Sequence, residues 1–323
     1  MNEIEYLIIS STIDFSTDLI CYELKCQKKK YLRINRDVFH EYGILYSLDK
    51  EEMEISISNK KYLINNQNLK SVYFRAPVFL RAHKHYTLNE QLSRSQWSAF
   101  LRNLIVFDNA KWINHPVYTY QAENKLYQLK LAKQNGLLLP ITYVGNEIPK
   151  DINDTPNYIV KALDTALFYD NSQELFTYSS ILTGKELVES NIKDAPIILQ
   201  ECLNEKVDIR VTYIDGEVFP VSITKNGKGI VGDWRKTKKE ELVYKATDLP
   251  IKIVKNINKL MKTLKLNFGG IDFALVDNKY YFIEVNPTGE WAWLENVSGC
   301  AISKKIVNSL VGGGKQWKKS KKY

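Results

Sequence analysis

Between residues 269 and 286 the chain reads GGIDFALVDNKYYFIEVN, two apolar-rich runs on either side of Asp277-Asn278. Asp and Asn tolerate the left-handed backbone of a tight turn, so the pattern predicts an antiparallel hairpin. Alternation places Glu284 and Asn286 on one face. Pro287, with no N–H to give a ladder, ends the second strand directly after them. Asp272, near the start of the first run, falls roughly opposite Glu284 in such a hairpin. Three oxygen donors then converge, a set that suits Mg²⁺, which prefers carboxylate, carbonyl and phosphate oxygens and keeps part of its shell for substrate phosphates. Spacing alone describes a hairpin with a polar rim equally well.

The rest of the chain narrows the setting. Its 323 residues, 44% hydrophobic and 25% charged, suffice for two or three subdomains with cores of their own and exclude a disordered chain. The opening MNEIEYLIISS carries acids where a secretory signal carries Lys or Arg. No uncharged run approaches the roughly 20 residues of a membrane span, so the expectation is a cytoplasmic protein with no membrane partner. Cys21, Cys26, Cys202 and Cys300 contain no C-x-x-C pair and read as reduced thiols. His83 and His85 share a strand face but lack a third ligand nearby, which favours a surface pair over a metal site. The net charge of +8 suggests nucleic acid at first sight, yet seven lysines and no acid fall in residues 304–323, leaving about +1 for the body. With no recognition helix or aromatic RNA-binding motif either, nucleic acid is not expected as a partner.

Periodicity divides the chain into units. Residues 1–118 mix the short strands EYLIIS, KYLRI, EISIS, KYLI and SVYFR with one amphipathic helix over residues 88 to about 106, an α/β unit. A helix in AENKLYQLKLAKQNG follows, with Gly136 at its C-terminal end and Pro140 beyond. Residues 119–200 then hold the strands ITYV, NYIVKAL, ALFYD, ELFTYSSI and PIILQECL and the short helix GKELVES. Residues 201–311 hold VDIRVTYID and EVFPVSI about the turn Asp215-Gly216, a helix from residue 251 to about 266, and the opening hairpin. Residues 312–323 form a basic tail after a Gly312-Gly313-Gly314 hinge, expected to be mobile. The whole reads as α+β with largely antiparallel sheets.

Polar residues recur at strand ends in a fixed order: Lys125, Lys161, Gln200-Glu201, Asp208, Arg210, Arg235, Asp272, Glu284, Asn286. Singly each has a plain reading, Lys161 as an edge-strand charge and Arg210 as half of a salt bridge. As an ordered set ending in EVN, they resemble the ATP-grasp ligase family over roughly residues 112 to 310. The resemblance implies two α+β subdomains clasping ATP, preceded by an α/β pre-ATP-grasp domain. It further implies that Lys125 and Lys161 hold nucleotide phosphates, that Gln200, Glu201, Leu203 and Asp208 line the nucleotide site, and that Asp272, Glu284 and Asn286 hold Mg²⁺.

Finer features are similar to one branch. KALDTALFYDNSQELFTYSSI, IVGDWR and EVNPTGEWAWLE resemble the microviridin-type peptide ligases, or graspetide synthetases. Those enzymes use ATP to join Asp or Glu side chains of a ribosomal precursor peptide, with its leader and acidic core, to Ser/Thr hydroxyls or Lys amines. The resemblance implies that Arg210 and Arg235 hold the acidic side chain and its acyl phosphate, as catalytic residues, and a homodimer is compatible with it. Two departures stand out. Residues 167–173 contain no glycine, so a Gly-rich phosphate cover is absent and Ser179 or Ser180 is expected in its place. SVYFRAPVFLRAHKH offers Arg75 and Arg81 either to substrate or simply to solvent. Trp291 and Trp293 read equally as a wall that screens an acyl phosphate from water or as anchors for the last helix. Two alternative functions stay open: a ligase adding a free amino acid to a protein or small acid, and an inactive nucleotide- or peptide-binding scaffold.

Overall fold

The computed structural model describes residues 1–75, 86–164, 167–170, 173–176 and 179–312, the two shortest pieces as backbone only. His83, His85, Arg81 and the tail from Gly313 onward lie outside them. Among the described residues no helix is long and apolar enough to cross a membrane.

The predicted hairpin forms. Phe268–Val276 pairs antiparallel with Lys279–Asn286. Asp277 and Asn278 turn the chain with φ of 48° and 59°, the two positive values a tight two-residue turn requires. From Val276 opposite Lys279 the ladder runs in step to Phe273 opposite Phe282, and then it shifts: Asp272 faces Glu284, and Ile283 is the extra residue. This bulge decides the chemistry of the strand. Phe282 packs in the core beneath the sheet, and strict alternation would have sent Glu284 to that same apolar face. The inserted residue turns Glu284 and Asn286 to the opposite face, level with Asp272 and Gly270.

The hairpin ends a five-stranded antiparallel sheet ordered Leu242–Ala246, Glu217–Lys225, Val207–Ile214, Phe268–Val276, Lys279–Asn286. Its strands alternate in two registers of character. Ile209, Val211, Tyr213, Ile271, Phe273, Phe282 and Val285 face a core shared with two helices, while Asp208, Arg210 and Thr212 alternate with them. The Ile251–Leu264 helix supplies Ile257, Leu260, Met261 and Leu264, the i, i+3, i+4, i+7 stripe of an amphipathic helix. Burying each such side chain contributes about 1.5–3 kcal/mol. The Lys125–Gln134 helix completes this layer, and Gly136 follows it at φ 81°.

A second, four-stranded antiparallel sheet is ordered Ser180–Thr183, Asn157–Ala162, Ile197–Glu201, Thr142–Gly145, beside the small hairpin of Leu167–Asp170 with Gln173–Phe176. The first residues build a parallel sheet, Tyr31–Asn35, Tyr6–Ser10, Ser71–Phe74 and Lys111–Ile113. Its Tyr6–Ser10 strand is buried on both faces: Leu7 and Ile9 enter one core, Tyr6 and Ile8 another that also takes Trp291, Ile302 and Ile306. A helix at Phe15–Cys26, which the sequence reading missed, covers this second core. It was illegible because its exposed Phe15 and Tyr22 blur the apolar stripe of Ile20 and Leu24.

Asn114, 1% exposed, welds the parallel sheet to the hairpin. Its Oδ1 accepts from the backbone N–H groups of Asn267 (2.8 Å) and Phe268 (3.0 Å), and its Nδ2 donates to Phe268 O (2.8 Å) and Pro287 O (2.9 Å). Removing the side chain orphans these backbone groups, so Asn114→Ala is expected to lower the unfolding free energy by about 2–4 kcal/mol. Urea denaturation checks this as a lower midpoint at unchanged slope.

Candidate active site

The sheet register assembles the site. Arg210, Asp272 and Glu284 lie in one row across three neighbouring strands. The Arg210 guanidinium donates through Nη1 to Asp272 Oδ2 at 2.8 Å and through Nη2 to Glu290 O at 3.4 Å. Its Nε is buried and has no hydrogen-bond partner among the described residues. The salt-bridge reading of Arg210 is thus correct, but an ion pair only 11% exposed at the arginine and 26% at the aspartate gains little net stability after desolvation. An unsatisfied donor on a buried arginine suits a ligand oxygen.

Two glycines make room for that arginine. A Cβ on Gly270 or on Gly289 would lie inside the guanidinium group. Sequence reasoning passed over both. The signal was present in Gly270, an interior strand glycine, which marks close approach of another group.

Lys125 opens its helix, which is tied to the hairpin by the buried Gln128. The Gln128 amide pairs with both backbone groups of Val285, accepting from its N–H at 3.0 Å and donating to its C=O at 2.8 Å. That places Lys125 Nζ 3.9 Å from Glu284 Oε2 and 3.2 Å from Ala162 O. Lys161, on a strand of the second sheet, donates to Gln200 Oε1 at 2.8 Å, while Gln200 Nε2 donates to Thr142 Oγ1 at 3.0 Å. Gln200 is therefore a brace for Lys161. Burial pushes the Lys161 ammonium below the usual lysine value, and Lys125 and Lys206 push it the same way against the pull of Glu284 and Asp233. Crowded ammonium groups of this kind favour a bound polyanion.

Lys206 is a cation that the sequence reading did not assign. It grips both Asp208 oxygens at 2.5 Å, yet burial outweighs this contact and raises the Asp208 carboxyl to about 6. Arg235 forks onto Asp233 through Nε at 2.8 Å and Nη2 at 2.6 Å, and that bond, with help from Glu284 and Asp272, raises its basicity. Asp233 also accepts from Ser179 Oγ at 3.4 Å, and Lys236 donates to Ser179 O at 2.7 Å. Ser179 thereby joins the second sheet to the GDWR segment.

Other expected residues are placed by their own strands and loops. Glu201 accepts from Ile141 N at 3.0 Å, and Leu203 follows in the loop just past the Ile197–Glu201 strand. Asn286 Oδ1 accepts from Thr288 N at 3.0 Å. Trp291 is an anchor, 1% exposed, with Nε1 donating to Tyr73 Oη at 3.2 Å. Trp293 instead meets Trp234 and Tyr244 at centroid distances of 5.9 and 5.3 Å, a half-buried aromatic cluster beside Arg235.

The donors of the Asp272, Glu284 and Asn286 set are all hard oxygens, which fits Mg²⁺. No group of three or more His, Cys, Asp or Glu residues gathers among the described residues. Two carboxylates and one amide would leave about half of an octahedral Mg²⁺ shell to phosphate and water.

The chain matches the RimK-like ATP-grasp domain over residues 122–310, more than half of its length, and it belongs to that family. Among solved structures it is similar to the macrocyclase MdnC of Microcystis aeruginosa, bound with the precursor peptide MdnA. The two are 26% identical over 95% of this chain and 99% of that one, with a TM-score of 0.81. It also shares its fold with a Chryseobacterium gregarium RiPP-associated ATP-grasp ligase in complex with ADP and a leader and core peptide (22% identity, 98% of each chain, TM-score 0.82). A third likeness is to the ATP-grasp ligase PsnB complexed with minimal precursor, Mg and ADP (17%, 96% of this chain and 97% of that one, TM-score 0.74). No protein with a curated description matches the chain in sequence.

The site generates two predictions. Gly270→Ala is expected to displace Arg210 and lower turnover by roughly 10²–10³-fold while ADP still binds, as calorimetry and a coupled assay would read. The second concerns Glu123, whose carboxyl is raised to about 7 by burial and by repulsion from Glu284, against the pull of Lys125. A carboxyl raised on folding contributes stability that is complete below its unfolded value of about 4.3 and is lost as pH climbs through its folded one. Glu123→Gln should therefore flatten the fall in stability of the ligand-free protein between about pH 4 and 7, measured by denaturant melts across that range.

Proposed function

We propose that this protein is an ATP-dependent, ADP-forming peptide ligase that joins Asp or Glu side chains of a ribosomally made precursor to Ser/Thr hydroxyls or Lys amines, closing ω-ester or ω-amide macrocycles. The observation that carries the reading is the row Arg210–Asp272–Glu284, which sets an arginine with an unsatisfied Nε against hard-oxygen ligands. Similarity to MdnC over nearly the whole chain supports a peptide as the substrate.

Condensing a carboxylate with an alcohol or amine in water needs an activated acyl group. The substrate carboxylate attacks the γ-phosphorus of ATP, the bond to the β-phosphate oxygen breaks, and ADP leaves an acyl phosphate behind. The hydroxyl or amine then attacks the acyl carbon, giving up its proton as inorganic phosphate departs, so each link costs the peptide one water. Lys125 and Lys161 hold the phosphates, with Gln200 fixing Lys161; Glu201, Leu203 and Asp208 line the nucleotide. Arg210 and Arg235 hold the acidic side chain and the transferring phosphoryl group, whose planar oxygens suit a guanidinium fork. Asp272, Glu284 and Asn286 would hold Mg²⁺, which would supply positive charge to offset that of the phosphates. The Trp234–Tyr244–Trp293 cluster shields one side of the transfer site from water, which would otherwise hydrolyse the acyl phosphate. In this reading residues 1–118 are the pre-ATP-grasp unit, and the enzyme meets its precursor in the cytoplasm.

Mass spectrometry of an Asp/Glu- and Ser/Thr/Lys-rich precursor, incubated with protein, Mg²⁺ and ATP, is expected to show loss of one water per link with matching ADP. Glu284→Ala and Asn286→Ala should each lower this conversion by at least about 10²-fold while the fold persists. A gain of one amino-acid residue mass on the acceptor would instead identify a ligase of free amino acids, and preserved conversion in Glu284→Ala would remove the metal assignment.

A further inference from the structure

The loop that follows the Lys279–Asn286 strand is held by side chains at four consecutive carbonyls. Asn114 donates to Pro287 O, Arg75 Nη1 donates to Thr288 O at 2.9 Å and to Gly289 O at 3.0 Å, and Arg210 Nη2 donates to Glu290 O. Three of the four therefore answer to residues 1–118, and the fourth answers to the active-site arginine. Gly289 is the point where the two arginines meet, since its carbonyl takes Arg75 and its missing side chain makes space for Arg210.

Arg75 is built for this contact. It is 3% exposed, and four of its N–H groups are engaged. Nε donates to Asp14 Oδ2 at 3.1 Å and Nη2 to Glu290 Oε1 at 2.5 Å. Asp14 is fixed in turn as the cap of the Phe15–Cys26 helix, accepting from Thr17 N at 3.1 Å and Ser10 Oγ at 2.7 Å. Ser16, in the first turn of the same helix, donates to Glu290 Oε2 at 2.6 Å. Here the contacts converge on the backbone between Asn286 and Arg210's partner Glu290, and nowhere does Arg75 reach the reacting groups itself.

We propose that Arg75 is a positioning residue: from the amino-terminal unit it fixes the 287–290 loop, and through that loop the placement of Asn286 and of the Arg210 guanidinium. The inference rests on the ligase reading for its consequence, though not for its geometry. Arginine is required because one planar group must serve two carbonyls and two carboxylates at once; lysine keeps the charge and cannot span them.

The test uses the full chain and its variants Arg75→Lys, Arg75→Ala and Glu290→Gln, the last removing one charge at a position 63% exposed. Calorimetry would follow ADP binding as Mg²⁺ is titrated, alongside thermal melts and precursor conversion. Arg75→Lys is expected to raise the Mg²⁺ concentration needed for half-maximal effect roughly 10-fold and Arg75→Ala up to about 100-fold, with Mg²⁺-free ADP affinity within about twofold. Glu290→Gln should shift it in the same direction by less. Folded Arg75→Lys and Glu290→Gln proteins with a wild-type Mg²⁺ requirement, or variants that lose only thermal stability, would overturn the proposal and leave Arg75 a strut. Should the wild-type protein convert no peptide, the ligase reading falls, while the Mg²⁺ dependence of ADP binding still decides the role of Arg75.

Discussion

One extra residue in one strand is the constraint on which the site depends. The sheet that carries it has an apolar face and a polar face, and alternation assigns every side chain to one or the other. Phe273 and Phe282 close the core beneath the hairpin, their rings 5.8 Å apart. With Phe282 fixed there, Glu284 belongs to the core unless the ladder slips. Ile283 provides the slip, and the row Arg210, Asp272, Glu284 exists because of it. A carboxylate driven into that core would stand unpaired or be forced to protonate, a cost that takes a large share of a domain's stability of about 5–15 kcal/mol.

The electrostatics follow from the same row. Ligand-free, the cluster is unbalanced in both directions: Lys161 is pushed down by burial and by its lysine neighbours, while Asp208 and Glu123 are pushed up by burial. Groups displaced from their ordinary values in opposite senses within one site mark a binding centre more than a stabilising network. Cations and hard oxygens interleave here, with Arg210 on Asp272 and Lys125 beside Glu284. Asp233 and Arg235, joined as a fork, present the second arginine from a different segment of chain, so the two arginines reach the centre by independent supports.

The parallel sheet contributes supporting contacts. Asn114 and Arg75 reach from it to the loop after Asn286, and Trp291 bonds back to Tyr73. The tryptophan pair of GEWAW thus splits: Trp291 is interior and structural, while Trp293 joins the aromatic cluster beside Arg235. Two tryptophans only two positions apart diverge because a helix starts between them, at Ala292.

The sequence by itself determined the local elements and the chemical types. Asp277-Asn278 and Asp215-Gly216 fixed two tight turns, since few residue pairs accept two positive φ values. The i, i+3, i+4 stripe fixed the Ile251–Leu264 helix, and the order of lysines, arginines and acids at strand ends carried the resemblance to ATP-grasp ligases. Tertiary structure decided what those residues meet. Nothing in IDFALVDNKYYFIEV says which residue is the bulge, because register is settled by which rings the core accepts. Nothing in SVYFR says that Arg75 grips carbonyls more than 200 positions away. The pairing of Gly270 and Gly289 with Arg210 and of Gln128 with Val285 is likewise a matter of packing. Such contacts join segments whose separation along the chain carries no periodicity, and only the folded sheet brings them within hydrogen-bond reach.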